Sequence, residues 1–228
     1  YLARPESENM LMVGTGHQSA FQIAAMLIAM DHIKTVRLYD AMSYENAVEA
    51  AKNMKSRLDN EFLSKYKNDE VLYSKFAKKF DVTFEAVENI EEATGKSDVI
   101  VTATPSRKPM IMKEWVKPGT HFSCIGSDME GKQEIDENIF AVAKVVVDDM
   151  NQAVNVGECE IPLQKGIVEK DALLCEIGQV ILGNETIRTS PKDITVYDST
   201  GIALQDLLVS KLAYDLALEK DMGQNVLL

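Results

Sequence analysis

Met10-Leu11-Met12-Val13-Gly14-Thr15-Gly16-His17-Gln18-Ser19-Ala20 passes from four apolar residues, through two glycines, into a helical pattern. The apolar run is short enough for a buried strand. Beyond it, Ala20, Phe21, Ile23, Ala24, Leu27 and Ile28 recur at helix-compatible spacing. The junction approximates GxGxxG, with Ser19 in the third place. A second strand, Thr35-Val36-Arg37-Leu38-Tyr39-Asp40, ends in an acid 24 residues after Gly16. A strand, a glycine turn, a helix and an acid-ended strand in that order predict dinucleotide binding.

Each residue type has a physical reason to be there. Gly14 permits the tight turn, and Gly16 lets a pyrophosphate approach the backbone. The helix N-terminus, opening at His17 and Gln18, offers N–H donors and positive dipole to phosphate. Ser19 is small enough for close helix–strand packing. Asp40 can accept hydrogen bonds from both ribose hydroxyls and repels a 2′-phosphate, so NAD(H) is expected over NADP(H). Arg37 points weakly the other way.

Outward from this unit the chain alternates strands and helices. Ser43 is the expected N-cap of a helix beginning at Tyr44. Lys52 to Lys79 reads as a charged, solvated helical insertion with one apolar face. Val82-Thr83-Phe84 reads as a short strand, and Ile90 to Thr94 as a short helix closed by Gly95. Asp98 to Thr104 and His121 to Ile125 are buried strands ending at Pro105 and Gly126. Lys144 to Val147 is another, ending in Asp148-Asp149. A helix is expected near Leu174 to Leu182, a strand at Ile194 to Tyr197, and a long amphipathic helix from Ile202 to Glu219. Alternation with wholly apolar strands predicts an α/β fold, a mostly parallel sheet covered on both faces. In such sheets the ligand lies outside the carboxyl ends of the strands. Gly14-Thr15-Gly16, Asp40, Thr102-Ala103-Thr104, Gly126-Ser127-Asp128 and Asp148 should therefore converge on one crevice.

The composition narrows the partners. Of 228 residues, 36 are acidic and 24 basic, for a net charge of −12. With no evident basic cluster, nucleic acid and anionic lipid are not expected partners. No apolar stretch has the ~18 residues of a membrane span. Cys124, Cys159 and Cys175 are odd in number and widely spaced, and are expected to be free thiols in a reducing cytoplasm. His17, His32 and His121 show no metal-ligand spacing, so no metal is expected. The chain opens on Tyr1 without an initiator Met or signal segment, and reads as a piece of a longer one.

Several further segments carry a resemblance. They are Leu2-Ala3-Arg4-Pro5, Ser97-Asp98-Val99-Ile100-Val101-Thr102-Ala103-Thr104-Pro105 and Val116-Lys117-Pro118-Gly119-Thr120-His121. Ile125-Gly126-Ser127-Asp128-Met129-Glu130-Gly131-Lys132-Gln133-Glu134-Ile135, Glu176-Ile177-Gly178-Gln179-Val180 and Asp198-Ser199-Thr200-Gly201-Ile202-Ala203-Leu204-Gln205-Asp206 follow in order. With the glycine turn, they resemble the ornithine cyclodeaminase/μ-crystallin family from Leu2 to about Lys220. The resemblance implies a Rossmann-like, doubly wound NAD-binding domain over residues 1–200. It implies that residues 201–228 form a C-terminal helix returning to a substrate and dimerisation domain, and a homodimer when the chain is full length.

The activity it implies is NAD-dependent chemistry at the α-carbon of an amino acid. Conversion of L-ornithine to L-proline and ammonia by transient hydride transfer comes first. Amino-acid dehydrogenation and cyclic imine reduction are the enzymatic alternatives, and a non-catalytic ligand- or NAD-binding protein is the alternative of another class. Asp128 matches the catalytic aspartate, which touches substrate and moves a proton. Lys132 matches a position near the cofactor. Thr102 and Phe122-Ser123-Cys124-Ile125 match segments under the nicotinamide half. Ser199 matches a cofactor contact and Thr200 a substrate-facing position, while Asp206 is read as a helix-start carboxylate in preference to one that orients the Ser199 loop. His17 stands where the family more often has a small residue. The family's carboxylate-clamping cations lie upstream of Tyr1, so this chain alone is expected to be inactive.

Overall fold

The computed structural model describes residues 1–224. In chain order its elements are β1 Asn9–Val13, α1 Gln18–Ala29, β2 Thr35–Tyr39, α2 Tyr44–Glu61, α3 Glu70–Phe80 and β3 Thr83–Ala86. Then come α4 Ile90–Lys96, β4 Val99–Thr102, β5 Arg107–Ile111, β6 His121–Cys124, β7 Gln133–Ile135 and β8 Ala143–Val147. The last are α5 Glu160–Gln164, β9 Leu173–Glu176, α6 Ile177–Ile181, β10 Ile194–Asp198 and α7 Ala203–Glu219.

Eight strands form one parallel sheet in the order β3-β2-β1-β4-β6-β10-β8-β9. The chain winds outward from β1 through β2 to β3, then crosses back to β4 and proceeds the other way. The direction therefore reverses between β1 and β4, where the crevice of a doubly wound sheet opens. Strand pleating explains the two cores. Met10 and Met12 pack on one face with Ile23, Leu27, Leu38 and Val101. Leu11 and Val13 pack on the other with Ile100, Phe122, Val145 and Val196.

The charged insertion is α2 and α3, and its apolar face is used. Met54, Leu58, Leu63 and Phe80 are buried over the first sheet face. Ser43 caps α2 as expected, its side chain accepting from Asn46 N–H at 3.2 Å.

Four readings need correction. Leu173–Glu176 is an edge strand, β9, paired with β8, and only Ile177–Ile181 is helical. Its apolar spacing suits either state, and the free edge of β8 settles it. Gly95 does not close α4, which runs on to Lys96 with Ser97 as C-cap. The amphipathic reading of α7 fails, since Leu204, Leu207, Leu208, Leu212, Tyr214 and Leu218 are all exposed and no side chain of the helix is buried. Finally, β5 and β7 form a small parallel ladder of their own, which the polar run around Pro109 concealed.

At the amino ends of the strands, Asp98 is a staple. It pairs with Arg4 and Lys117, each at 2.8 Å, and accepts the Glu8 and Asn9 N–H groups at 3.0 Å. Burial pushes its carboxyl up, but Lys117 and those amides outweigh it and hold the pKa at about 2. His121, fully enclosed beside Thr195, is held neutral by burial, with a pKa of about 3. Both lie away from the crevice, and no helix among the described residues is long and apolar enough to cross a membrane.

Candidate cofactor and active site

The glycine turn joins β1 to α1 as the sequence predicts, and its two glycines serve different ends. Gly14 has φ +102°, and a Cβ there would lie 2.7 Å from Ala103 O and 2.9 Å from Thr104 Cγ2. The turn presses on the end of β4, so only glycine fits. Gly16 faces open space, with no described atom within 4 Å of a built Cβ. His17 occupies the N-cap of α1 without a capping hydrogen bond among the described residues, and the first turn carries no acid. Its ring instead rests against Phe21, with centroids 5.4 Å apart. Gln18 is exposed, whereas Ser19 is buried and donates to Gly16 O at 2.7 Å. Open space before an uncapped helix N-terminus suits a pyrophosphate.

Asp40 stands at the end of β2 and faces the same opening. Its Oδ1 accepts Met42 N–H at 2.9 Å, Ser43 N–H at 3.3 Å and Asn46 Nδ2 at 3.2 Å, and its Oδ2 accepts the Thr15 hydroxyl. Burial pushes the carboxyl up, but the hydrogen bonds from Thr15, Asn46 and the two amides outweigh it and leave the pKa below its ordinary value. A cavity of about 360 Å³ lies between the glycine turn, Asp40–Met42 and Ala103–Ser106, with Met110 at its wall. Its size and partly apolar lining fit the adenosine half of a dinucleotide.

The second half of the crevice is built by β4, β6 and the loop after β6. Thr102 is fully buried, and its hydroxyl has no hydrogen-bond partner among the described residues. Phe122 and Cys124 point into the core and Ser123 is buried, so this stretch forms a floor. Ile125 is half-buried against the opposite core. Burial raises the thiols of Cys124 and Cys159 well above the ordinary cysteine value, as inert core cysteines.

Asp128 is exposed on that loop, and Lys132 pairs with it at 2.5 Å. The same ammonium donates to Gly126 O at 3.2 Å. Lys132 therefore directs its charge to the aspartate and the Gly126 carbonyl. Gly126 has no room for a side chain, since a Cβ would lie 2.3 Å from Thr104 O and 2.6 Å from the Glu134 carboxyl.

Two buried glutamates hold this loop. Glu134 accepts Thr104 N–H at 2.6 Å, Thr104 Oγ1 at 2.7 Å and Gly126 N–H at 3.0 Å, tying the end of β4 to the end of β6. Burial leaves its pKa raised against those bonds. Glu158 accepts Glu134 N–H at 2.7 Å, Ile135 N–H at 3.1 Å and the Ser127 hydroxyl. Burial, then the neighbouring Glu134 charge, pushes it to about 8. Asp198, buried at the end of β10, accepts Cys159 N–H at 3.0 Å and is pushed by burial to about 6.

Ser199 and Thr200 follow β10 toward the same end of the sheet. Asp148 accepts the Thr200 hydroxyl at 2.7 Å, Gly201 N–H at 2.7 Å and the Ser199 hydroxyl at 3.4 Å. Gln152 adds a bond to Thr200 Oγ1 at 3.0 Å. Thr200 is thus buried and engaged, while Ser199 is half-buried. Asp206 lies in the first turn of α7, a helix-start position. The structure thus brings Gly14, Gly16, His17, Gln18 and Asp40 together at one end of the crevice. It sets Thr102, Asp128, Lys132 and Ser199 on strand ends and loops at the same end of the sheet. Sequence reasoning placed Thr15 at the crevice without a role of its own, and missed Asn46, Glu134 and Glu158. No set of three His, Cys, Asp or Glu side chains among the described residues is arranged to hold a metal.

The sequence profile of the ornithine cyclodeaminase/mu-crystallin family matches residues 1–71 and 63–221. Alanine dehydrogenase of Archaeoglobus fulgidus is 38% identical over 226 residues, 99% of this chain and 62% of the relative. Iminosuccinate reductase of Paracoccus denitrificans is 34% identical over 99% of this chain and 62% of the relative. The structure of Thermococcus litoralis Δ1-pyrroline-2-carboxylate reductase in complex with NADH and L-proline superposes with a TM-score of 0.82. It is 28% identical, over 99% of this chain and 63% of that one. The chain thus spans about three fifths of the length of these relatives.

Proposed function

Because the chain belongs to the ornithine cyclodeaminase/mu-crystallin family, we propose that the whole protein is an NAD-dependent enzyme that moves a hydride between cofactor and the α-carbon of a small amino or imino acid. What supports this reading is a glycine turn opening α1 after β1 and, on the loop after β6 at the same carboxyl end of the sheet, an exposed, lysine-paired carboxylate. Net oxidation or reduction is supported by relatives named as a dehydrogenase and reductases, and cyclodeamination, the second reading, by a relative named as a cyclodeaminase that is 35% identical over 60% of this chain.

NAD, when bound, supplies the hydride acceptor. The chain's own residues do the rest. The amides at the start of α1 and the open space at Gly16 receive the pyrophosphate, and Asp40 reads the adenosine ribose. Thr102 and the Phe122–Ile125 stretch form the floor under the nicotinamide half, and Ser199 lines it. Asp128 takes a proton from the substrate amine as the α-carbon is oxidised, and returns it in the reverse direction. Lys132 steadies that carboxylate. Residues 1–200 form the cofactor unit. Residues 201–228, of which 225–228 lie outside the described residues, return to a substrate and dimer domain, and the apolar side chains exposed along α7 support this. A cytoplasmic homodimer acting on a small-molecule substrate is the assembly this implies.

The test is product analysis. The full-length protein is incubated with NAD⁺ and L-alanine, L-proline, L-ornithine or L-lysine, and NADH and ammonia are measured. NADH accumulation supports net redox chemistry. Ammonia and a saturated cyclic amino acid, proline or its six-membered homologue, without NADH return the reaction to cyclodeamination. NADH binding with no turnover of these amino acids, of L-aspartate, or of the corresponding imines offered with NADH supports a binding protein.

A further inference from the structure

We propose that Thr15 is a second reader of the adenosine ribose, acting as one unit with Asp40 and Asn46, and that this unit sets the preference for NAD(H) over NADP(H). The inference rests on the NAD reading above and concerns only residues of this chain.

It follows from counting acceptors. A carboxylate oxygen offers about two lone-pair sites. Asp40 Oδ1 already takes three donors, from Met42 N, Ser43 N and Asn46 Nδ2. It has nothing left for a ligand. Oδ2 takes one, the Thr15 hydroxyl, and keeps one site free. Asp40 therefore receives one ribose hydroxyl and not both. The second acceptor is next to it. Thr15 Oγ, having spent its proton on Asp40, presents only lone pairs on its open side. Thr15 and Asp40 both line the 360 Å³ cavity, so the two acceptors face the space where the ribose belongs. A diol brings two donors and satisfies both.

A 2′-phosphate brings negative charge and acceptors alone. It would meet an ionised Asp40, a Thr15 whose proton is committed, and Glu49 in the adjoining groove of about 280 Å³. Arg57 also lines that groove, but its guanidinium is paired with Glu61 at 2.9 Å. Asn46 makes the arrangement directional. From the first turn of α2 its amide fixes Oδ1, which leaves Oδ2 turned toward Thr15.

The experiment titrates NADH, NADPH and NADH lacking the adenosine 2′-hydroxyl against the full-length protein, read by cofactor fluorescence. Wild type, Thr15→Val, Thr15→Ser, Asn46→Ala and Asp40→Asn are compared. Losing one ribose contact should weaken NADH about 3- to 10-fold in Thr15→Val. That variant should also discriminate less than wild type between NADH and the deoxy analogue, and Thr15→Ser should restore both. Asn46→Ala should narrow the gap between NADH and NADPH. If Thr15→Val binds NADH like wild type and keeps the full deoxy discrimination, the assignment of Thr15 is overturned. Asp40→Asn separates this from failure of the parent reading. If it collapses the NADH preference while Thr15→Val changes nothing, only the Thr15 proposal falls. If the wild type binds no NADH, or Asp40→Asn leaves its preference intact, the underlying reading of the cofactor site falls.

Discussion

Alanine at Gly14 and alanine at Gly16 should fail in opposite ways. At Gly14 the new Cβ meets backbone. Ala103 O lies 2.7 Å away, and Ala103 is tied into the sheet by its N–H to Val13 O at 3.0 Å. Thr104 Cγ2, at 2.9 Å, cannot swing aside cheaply, because Glu134 holds the same side chain by its hydroxyl. The φ of +102° adds a conformational cost of about 1–2 kcal/mol for a residue with a Cβ. Overpacking against a fixed neighbour costs about 1–3 kcal/mol. Gly14→Ala should therefore lose about 2–5 kcal/mol of stability, read as a lower urea midpoint at constant slope. At Gly16 a built Cβ meets no described atom within 4 Å beyond its chain neighbours, and φ is not positive. Gly16→Ala should keep its midpoint or gain up to about 1 kcal/mol from a stiffer unfolded chain. Its cost appears in binding, because the methyl fills the space before the α1 amides. NADH affinity should fall about tenfold or more, roughly 1.4 kcal/mol. Circular dichroism in urea and NADH fluorescence titration separate the two effects. Equal destabilisation by both substitutions, or unimpaired NADH binding by Gly16→Ala, would refute the division of labour between the glycines.

Three further outcomes are expected. Asp128→Asn in the full-length protein should bind NADH normally and lose about 10²- to 10⁴-fold in kcat, the usual worth of a positioned proton-transfer group; near-normal turnover would reduce Asp128 to a loop residue. Glu134→Gln must turn an amide N–H₂ toward either the Thr104 or the Gly126 N–H, leaving buried donors facing one another, and should cost about 1–3 kcal/mol in urea denaturation. Asp98, with its folded pKa near 2 and below the unfolded value, contributes stability that is complete above about pH 4 and is lost as pH falls through 2. The gap in urea midpoint between wild type and Asp98→Asn should correspond to about 1–2 kcal/mol at neutral pH, allowing for solvent screening, and should shrink below pH 4; a gap that widens in acid would contradict the assignment.

What the sequence reveals follows from where each residue's role is made. β1, β4 and β8 are largely buried on both faces, so they are mostly apolar runs bounded by glycine, proline or acid, and local reading finds them. β9 is equally apolar, but Leu173, Ile177, Val180 and Ile181 also fit a helix, and only pairing with the edge of β8 chooses between them. The site divides in the same way. Gly14, Gly16 and Asp40 act through backbone conformation and strand position, which spacing records. Glu134 acts through Thr104, thirty residues earlier, and Glu158 through the amides of Glu134 and Ile135. In sequence both look like solvated acids in charged or polar surroundings. Their neighbours held the available clue. Glu134 stands between Gln133 and Ile135, directly before a strand's end, and Glu158 beside Cys159 in a stretch with no nearby lysine or arginine to pair it. Glu158, placed so without a local cation, has only backbone amides and a hydroxyl to satisfy it once buried. Amides at the carboxyl ends of parallel strands are those that line the crevice. A buried acid lacking a cation partner in an α/β sheet is thus a marker of the loops that shape the site, even where no motif names it.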